Sequence, residues 1–353
     1  MNRCLWQVTG ILALSLSISQ AADRPPRPIP EGTGPRARFL KLIDRPRVEL
    51  SSTEQPATGS VTDSVNLREI TFAFNSESGQ RVPGILVAPV AVKGRLPVVI
   101  ALHGTGGSKE GMRPLLRQFA SRGVIGVAID GRHFGERSGG VPDAYRAALL
   151  ETWKTGEGFP FTYDTVWDVM RLLDYLETRA DVDPKKIGAI GFSKGGFELY
   201  FAAAADERLA ASVPCIGVQD FGWALEHNAW QSRIGTIQAA VDGAASDAGV
   251  RVVNAAFVKR FYERVVPGVH DEFDGPVMLP LIAPRPLLVI NGERDDRTPL
   301  PGLKLCVKAA RDAYQAADAD KQFEFRLQPN TGHAVNPDSE RYAIEWLVKS
   351  LQH

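Results

Sequence analysis

Apolar residues in the middle of the chain follow two kinds of pattern. Ile70, Phe72 and Phe74 alternate with less apolar residues, which predicts a half-buried strand. A second such strand at residues 81–88 follows the turn-like residues 76–79, so the two strands predict an antiparallel hairpin. Continuous apolar runs, typical of strands covered on both faces as in a parallel sheet, then follow at residues 97–102, 124–129, 187–192, 211–218 and 286–290.

Helical patterns lie between these apolar runs. Residues 166–176 have apolar positions at helical spacing, and a last helix is predicted to start at Asp338 or Ser339 and to bury Leu351. A less covered strand at residues 323–327 precedes that helix. This alternation of strands and helices predicts an α/β fold with a doubly wound, mostly parallel sheet and an antiparallel N-terminal hairpin.

Residues 219–283 interrupt the alternation between two core strands. A structureless connection of this length is unusual inside a compact domain, and this stretch is rich in aromatic residues. We therefore predict a mostly helical cap over the strand ends, with its aromatic residues forming a small core of their own. Residues 66–353 are accordingly predicted to be one α/β domain that contains this insertion.

The first 65 residues differ from the rest in composition. Arg3, an apolar run over residues 8–18 and small residues up to Ala21 predict a signal peptide, residues 1–21, cleaved after Ala21. An uncleaved N-terminal anchor is the alternative, but the run is too short to span a membrane. We therefore expect a secreted or periplasmic protein without stable membrane insertion. Prolines between residues 25 and 35 predict an extended linker within residues 22–65, a segment to which the pattern assigns no role.

Composition and charge exclude some partners. The 353 residues carry 41 basic and 41 acidic side chains, a formal net charge of zero, and no basic stripe with interleaved aromatic residues, which argues against nucleic-acid binding. Cleavage of the signal peptide leaves Cys215 and Cys306, which can form one disulfide or remain as two buried thiols. We favour the thiols, because an isolated cysteine is commonly a small core residue.

The candidate chemistry centres on Ser193. It lies between the apolar run 187–192 and a helix-like run 197–204, with Gly191 and Gly195 two residues to either side. A strand, a sharp turn and a helix in this order form a nucleophile elbow, where glycines relieve crowding around a strained serine. An ordinary Gly/Ser turn is the alternative, and the flanking strand and helix favour the elbow.

A serine nucleophile needs a general base, and the base needs an acid that orients it. When the serine lies on such an elbow, the acid and then the histidine follow it in the chain. His333, on a loop after the strand at residues 323–327, is the candidate base. Asp295, after the strand at residues 286–290, is the favoured acid, while its neighbour Asp296 is assigned to a turn and Asp220 is a second alternative.

Stabilising an oxyanion requires N–H donors that already point at it. The candidates are the backbone N–H groups of Lys194 and Thr105, the latter on the glycine-rich loop at residues 103–107. A phosphate-binding loop is the alternative for residues 103–107, but they lack both the Walker lysine pattern and a Gly-x-Gly-x-x-Gly run. His103 is expected to be structural.

Two charged features border this candidate site. The side chain of Lys194 could attract an anionic substrate or extend along the helix into water, and we favour the second. Residues 130–137 follow another core strand, and we expect their charged side chains to pair with one another rather than to contact the substrate.

These pieces together resemble the α/β-hydrolase superfamily over residues 67–351, and within it secreted bacterial esterases of the dienelactone hydrolase and acetyl xylan esterase kind. The resemblance rests on residues 103–107, 130–137, 191–196, 283–286 with 292–299, and 332–333. The position of Asp295 between Gly292 and Pro299 matches the spacing of that family. Dienelactone hydrolases usually have a cysteine nucleophile, so Ser193 favours an ordinary ester substrate.

The resemblance implies a serine carboxylesterase in which Ser193 attacks the ester carbonyl, His333 transfers the proton and Asp295 orients His333. It implies no metal or organic cofactor, and a small-molecule or carbohydrate ester as substrate. A peptidase or amidase with the same residues is an alternative. A catalytically inactive binding protein is another, although the chain retains all three triad residue types in order.

Overall fold

A nine-stranded mixed sheet lies at the centre of the structure, a computed structural model that describes residues 32–56, 66–90 and 94–352. Its strands in chain order are β1 (Thr53–Pro56), β2 (Leu67–Glu77), β3 (Gln80–Pro89), β4 (Leu96–Leu102), β5 (Ile125–Ile129), β6 (Val182–Phe192), β7 (Leu209–Cys215), β8 (Leu287–Gly292) and β9 (Phe323–Gln328). The order across the sheet is β1-β2-β3-β5-β4-β6-β7-β8-β9. The predicted signal peptide, residues 1–21, lies outside the described residues.

Helices cover both faces of the sheet. The α-helices are α1 (Pro35–Ile43), α2 (Lys109–Ala120), α3 (Ala144–Thr155), α4 (Tyr163–Thr178), α5 (Lys194–Ala205), α6 (Phe221–Glu226), α7 (Gln231–Ile234), α8 (Gln238–Asp247), α9 (Ala255–Val265), α10 (Gly275–Met278), α11 (Leu300–Ala316) and α12 (Pro337–Gln352). Short 3₁₀ helices lie at Gly135–Ser138, Leu279–Ile282 and Asp320–Gln322.

The pairing of the strands confirms the predicted mixture of directions. β2 and β3 form the antiparallel hairpin, β3 pairs antiparallel with β5, and the strands from β5 to β9 pair in parallel. Leu102 of β4 is aligned with Gly191 of β6, and Phe192 of β6 with Cys215 of β7. The carboxyl ends of these parallel strands therefore lie side by side at one edge, where open α/β sheets bind ligands.

Two hydrophobic clusters explain why the central strands are continuously apolar. One face of the sheet packs on α4, α5 and the cap, and the other packs on α2 and α12. On β6, for example, Ala189 belongs to the first cluster and Ile190 to the second. Burial on both faces removes about 25 cal/mol of unfavourable hydration per Å² of apolar surface, so both sets of alternating residues favour apolar side chains.

The N-terminal boundary predicted at residue 66 is wrong for the described part of residues 22–65. In α1, Phe39 is fully buried, and its ring lies 4.9 Å from that of Tyr163 and 5.2 Å from that of Phe201. β1 pairs with β2 at the edge of the sheet. The prolines of this segment predicted an extended linker, but Pro35 is the first residue of α1. Proline is well tolerated there, because the first residue of a helix needs no N–H donor.

The helical cap predicted over residues 219–283 is present as α6 to α10. Its aromatic residues, however, do not form a separate core. The ring of Phe221 lies 5.1 Å from that of Phe197 on α5 and 5.5 Å from that of Tyr262 on α9, so the cap extends the main cluster. Sequence spacing cannot reveal this continuity, because Phe197 and Tyr262 belong to different supersecondary units.

Two further predictions concern cysteines and membranes. Cys215 and Cys306 are both free and buried, which confirms the two thiols. Among the helices in the described ranges, none has the length and apolar character that crossing a bilayer requires.

Candidate active site

Ser193 lies on the sharp turn between β6 and α5. Its backbone has φ 53° and ψ −111°, a conformation that a residue with a side chain adopts only under strain. The neighbouring glycines allow this turn: a Cβ on Gly191 would lie 2.1 Å from the carbonyl oxygen of Gly195, and a Cβ on Gly195 would lie 2.3 Å from that of Leu102. The Ser193 N–H donates to the carbonyl of Cys215 at 2.9 Å, which fixes the turn against β7.

The structure brings Ser193, His333 and Asp295 into one hydrogen-bonded chain. The Oγ atom of Ser193 lies 2.7 Å from Nε2 of His333, and Nδ1 of His333 lies 2.9 Å from both carboxylate oxygens of Asp295. A carboxylate only accepts hydrogen bonds, so Nδ1 carries the proton and Nε2 is free to accept one from the serine hydroxyl. This is the tautomer that a general base needs.

The Asp295 carboxylate is buried and ionised. Burial by itself would raise the pKa of the Asp295 carboxyl, but the hydrogen bond and charge of His333, a hydrogen bond from Thr298 and the charge of Arg233 bring it below its ordinary value. Its Oδ1 also accepts the backbone N–H of Arg297 at 2.9 Å. The loop that carries Asp295 meets the loop that carries His333 at Gly292, where a Cβ would lie 2.1 Å from the carbonyl oxygen of Gly332.

The two alternative acids lie elsewhere. Asp220 caps the N-terminus of α6, where its side chain accepts the N–H of Trp223 at 2.7 Å. Asp296 is exposed on the loop after β8. In the described part of the chain, the carboxylate that hydrogen-bonds to His333 is that of Asp295.

The glycine-rich loop after β4 lies against the elbow. A Cβ on Gly104 would lie 3.2 Å from the carbonyl oxygen of Phe192 and 3.5 Å from Cβ of Ser193. Thr105 is exposed beside it, and Lys194 is the first residue of α5, whose opening N–H groups have no partner within the helix. Their assignment as oxyanion donors stays a prediction.

His103 links this loop to the loop after β5. Its Nε2 accepts the N–H of Gly131 at 3.0 Å, so Nδ1 carries the proton and donates to the carbonyl of Gly104 at 2.8 Å. Burial lowers the pKa of His103, in keeping with a neutral ring. His103 thus occupies the structural position that its sequence context predicts.

Comparison with known proteins identifies the family. A family model described as "Glucuronyl esterase, fungi" matches residues 83–318, which is more than half of the chain. The chain belongs to this glucuronyl esterase family. It is an ester-hydrolysing enzyme with the α/β-hydrolase fold, as the resemblance in its sequence implies.

Three proteins illustrate what this member of the glucuronyl esterase family is similar to. YtaP of Bacillus subtilis (strain 168), a protein named as a hydrolase, is 24% identical over 294 residues, which cover 78% of this chain and 87% of that protein. A 4-O-methyl-glucuronoyl methylesterase of Neurospora crassa is 27% identical over 184 residues, 50% of this chain and 43% of that protein. An acetyl xylan esterase from Paenibacillus sp. R4 has a TM-score of 0.65 at 20% identity, over 90% of this chain and 96% of that chain.

Our prediction that the Lys194 side chain extends into water is wrong. Lys194 is 5% exposed, and its ammonium group pairs with the carboxylate of Glu198 one helical turn further on. The same ammonium lies 5.4 Å from the ring centres of Phe134 and Tyr145, within the range of a cation–π interaction. The i,i+4 spacing of lysine and glutamate was visible in the sequence, but Phe134 and Tyr145, which enclose the pair, are distant in the chain.

The charged side chains of residues 130–137 pair with residues of other segments and not with one another, so that part of our prediction is wrong. Asp130 accepts a hydrogen bond from the ammonium of Lys109 at 2.9 Å. Arg132 forms a bidentate pair with Asp168, at 3.1 Å from Nε and 3.0 Å from an Nη atom. These buried side chains are therefore engaged in holding the loop.

Sequence reasoning overlooked one residue near the site, Arg233 of the cap. It is 2% exposed and its charge reaches Asp295. Nothing in the local sequence distinguishes it from the exposed arginines around it. No metal site was predicted, and within the described ranges no group of three or more His, Cys, Asp or Glu side chains is arranged to hold a metal ion.

Proposed function

We propose that this enzyme hydrolyses carboxylic esters of carbohydrates through an acyl-enzyme intermediate on Ser193. The observation that carries the proposal is the hydrogen-bonded chain from Ser193 through His333 to the buried Asp295. The family match supports an ester substrate, and the names of the Neurospora and Paenibacillus proteins support a sugar as part of it.

In the proposed reaction, Nε2 of His333 takes the proton of the Ser193 hydroxyl as Oγ attacks the ester carbonyl. The resulting oxyanion is stabilised by the backbone N–H groups of Lys194 and Thr105 and by the positive end of α5. His333 returns its proton to the leaving alcohol, and a water molecule then hydrolyses the acyl-enzyme by the same route. Asp295 keeps the imidazole oriented and stabilises its protonated form.

The experiment that tests the nucleophile is intact mass measurement after incubation with a fluorophosphonate. We expect one adduct on the mature protein and none on Ser193→Ala. Removal of Ser193 or His333 should lower kcat on the order of a million-fold if the triad acts as a unit. An unlabelled wild-type protein that is folded and hydrolyses no ester would overturn the proposal and favour an inactive binding protein.

A substrate panel tests the carbohydrate part separately. Acetylated xylo-oligosaccharides, a methyl ester of glucuronic acid, a short aryl ester and a peptidyl amide would be compared by kcat/KM. A preference for either sugar ester supports the proposal and identifies whether the sugar supplies the alcohol or the acid. Amide cleavage at rates that match the esters would favour a peptidase instead.

We also propose that the protein is exported after removal of residues 1–21. Support comes only from the sequence pattern of those residues. N-terminal sequencing of protein recovered from the periplasm or medium should begin at Ala22, and an intact Met1 in the cytoplasmic fraction alone would contradict export.

A further inference from the structure

The turn that follows β7 packs against the nucleophile elbow. Its first residue after the strand, Ile216, has φ 47°, a left-handed conformation that is unfavourable for a β-branched side chain. Cys215, just before it, accepts the N–H of Ser193. Gly217, just after it, packs so closely on α5 that a Cβ would lie 2.5 Å from the nitrogen of Phe197. The position of Ser193 therefore depends on how this turn is held.

The same turn also reaches the strand that leads to the catalytic acid candidate. The N–H of Ile216 donates to the carbonyl of Ile290 on β8 at 2.7 Å. The loop after β8 carries Asp295. One strained turn thus contacts both the serine elbow and the strand of the acid.

Arg233 of α7 in the cap binds this turn directly. Its Nε donates to the side-chain oxygen of Gln219 at 3.0 Å, and an Nη atom donates to the carbonyl of Ile216 at 3.1 Å. Both acceptors are neutral, although a buried arginine usually pairs with a carboxylate. The guanidinium is almost completely buried, so water does not compete for these bonds.

The positive charge of Arg233 interacts electrostatically with the carboxylate of Asp295. Burial lowers the pKa of the guanidinium, and the Asp295 carboxylate opposes that effect. The other titratable or charged groups that face Arg233 are Tyr200 of α5, Tyr262 of α9 and Arg297 of the Asp295 loop. Asp295 is itself faced by His333 and Arg233. Arg233 is therefore a fixed cation of the cap that favours ionised Asp295.

We propose that Arg233 is a positioning residue, through which the cap holds the strained Ile216 turn against the Ser193 elbow. The inference rests on the proposed Ser193–His333–Asp295 mechanism. It assigns the cap a role in the catalytic step itself, in addition to any role in choosing the substrate.

The test compares Arg233→Met and Arg233→Lys with the wild type, using a short aryl ester and the fluorophosphonate. Arg233→Met removes both the hydrogen bonds and the charge. We expect kcat to fall about ten- to a hundredfold with KM changed less than threefold, because the displaced groups act on the reaction step and not on the substrate. The acid limb of kcat/KM should move to higher pH, because loss of a nearby cation makes protonation of the triad easier.

Arg233→Lys separates charge from geometry. A lysine keeps the positive charge but lacks the planar fork that binds Ile216 and Gln219 together. We expect an acid limb like that of the wild type and a kcat between those of the wild type and Arg233→Met. A merely structural role would lower the free energy of unfolding without moving the pH profile.

Arg285 provides the matched control. It also donates to backbone carbonyls, those of Ala203, Asp206 and Leu209, but it precedes β8, at the opposite end of the strand from Asp295. Arg285→Met should lower the free energy of unfolding and leave kcat and the pH profile unchanged.

The outcomes are distinguishable. If the wild type is labelled and active but both Arg233 variants keep kcat within twofold, or if Arg233→Met behaves as Arg285→Met does, the inference is overturned. If Arg233→Met does not fold, Arg233→Lys decides alone: a kcat within twofold of the wild type overturns the inference, and a larger fall with an unmoved acid limb supports it. A wild type that is neither labelled nor active contradicts the proposed function instead.

Discussion

Lys194 and Glu198 form an ion pair whose side chains are only 5% and 3% exposed, and the lysine directly follows the serine of the elbow. Burying two charges costs free energy that their attraction offsets only while both are present. Burial raises the pKa of Glu198, while the neighbouring ammonium acts to lower it. Loss of either charge would therefore leave the other buried without its ionic partner in the first turns of α5.

We expect Glu198→Gln to lower the free energy of unfolding by about 3 to 5 kcal/mol, because it leaves the Lys194 ammonium buried without its anion. Urea unfolding measures the change. Lys308 and Asp312 have the same i,i+4 spacing on α11 but are 72% and 59% exposed, so Asp312→Asn should cost no more than about 0.5 kcal/mol. Equal effects of the two substitutions would show that burial of the first pair has no energetic consequence.

The three candidate acids give different predictions. Asp295→Asn should lower kcat about 10⁴-fold, because an amide can no longer hold His333 in the tautomer that accepts the serine proton. Asp296→Asn and Asp220→Asn should change kcat only a few-fold, and asparagine can still cap α6 at position 220. Steady-state rates on one aryl ester measure all three. If kcat fell as much in Asp220→Asn as in Asp295→Asn, the catalytic acid would be Asp220, which follows β7.

Much of the fold and of the candidate triad was predictable, because local patterns determine them. The continuous apolar strands, the glycines around Ser193 and the order of Asp295 and His333 can each be read over a few residues. The structure places these three side chains together because the carboxyl ends of β6, β8 and β9 lie at one edge of the sheet.

The wrong predictions concern contacts between distant segments. Lys194 was expected in water because the sequence does not show that Phe134 and Tyr145 cover it. The burial of Phe39 against Tyr163 and the packing of Phe221 on Phe197 are likewise tertiary contacts. Such contacts depend on which helices meet, a property that neither periodicity nor spacing records.

His103 makes stability depend on pH. Burial lowers the pKa of His103 in the folded protein below its ordinary value of 6.5, so the unfolded chain binds a proton more readily. Stability from this group is complete above pH 6.5 and is lost as the pH falls through the folded pKa. On going from pH 8 to pH 5, urea unfolding should show that His103→Asn loses less stability, or gains more, than the wild type. His133, whose pKa burial lowers, and Asp274, whose pKa burial raises to about 8 and which therefore acts in the opposite direction, titrate in this range in both proteins, so the comparison isolates His103.

Two glycine-to-alanine substitutions test how tightly the elbow is packed. Gly111 on α2 is exposed and has no atom within 4 Å of an added Cβ, so Gly111→Ala should raise the free energy of unfolding by about 0.5 to 1 kcal/mol through helix propensity.

Gly217→Ala, in contrast, should lower the free energy of unfolding by about 1 to 3 kcal/mol, because the added carbon meets the backbone of Gly196 and Phe197 at about 2.5 Å. Since that backbone directly follows Ser193 and Lys194, the same substitution should also slow labelling by the fluorophosphonate at pH 8, whereas Gly111→Ala should not. If Gly217→Ala destabilised the protein and left the labelling rate unchanged, the turn after β7 would support the fold alone and not the reactivity of Ser193.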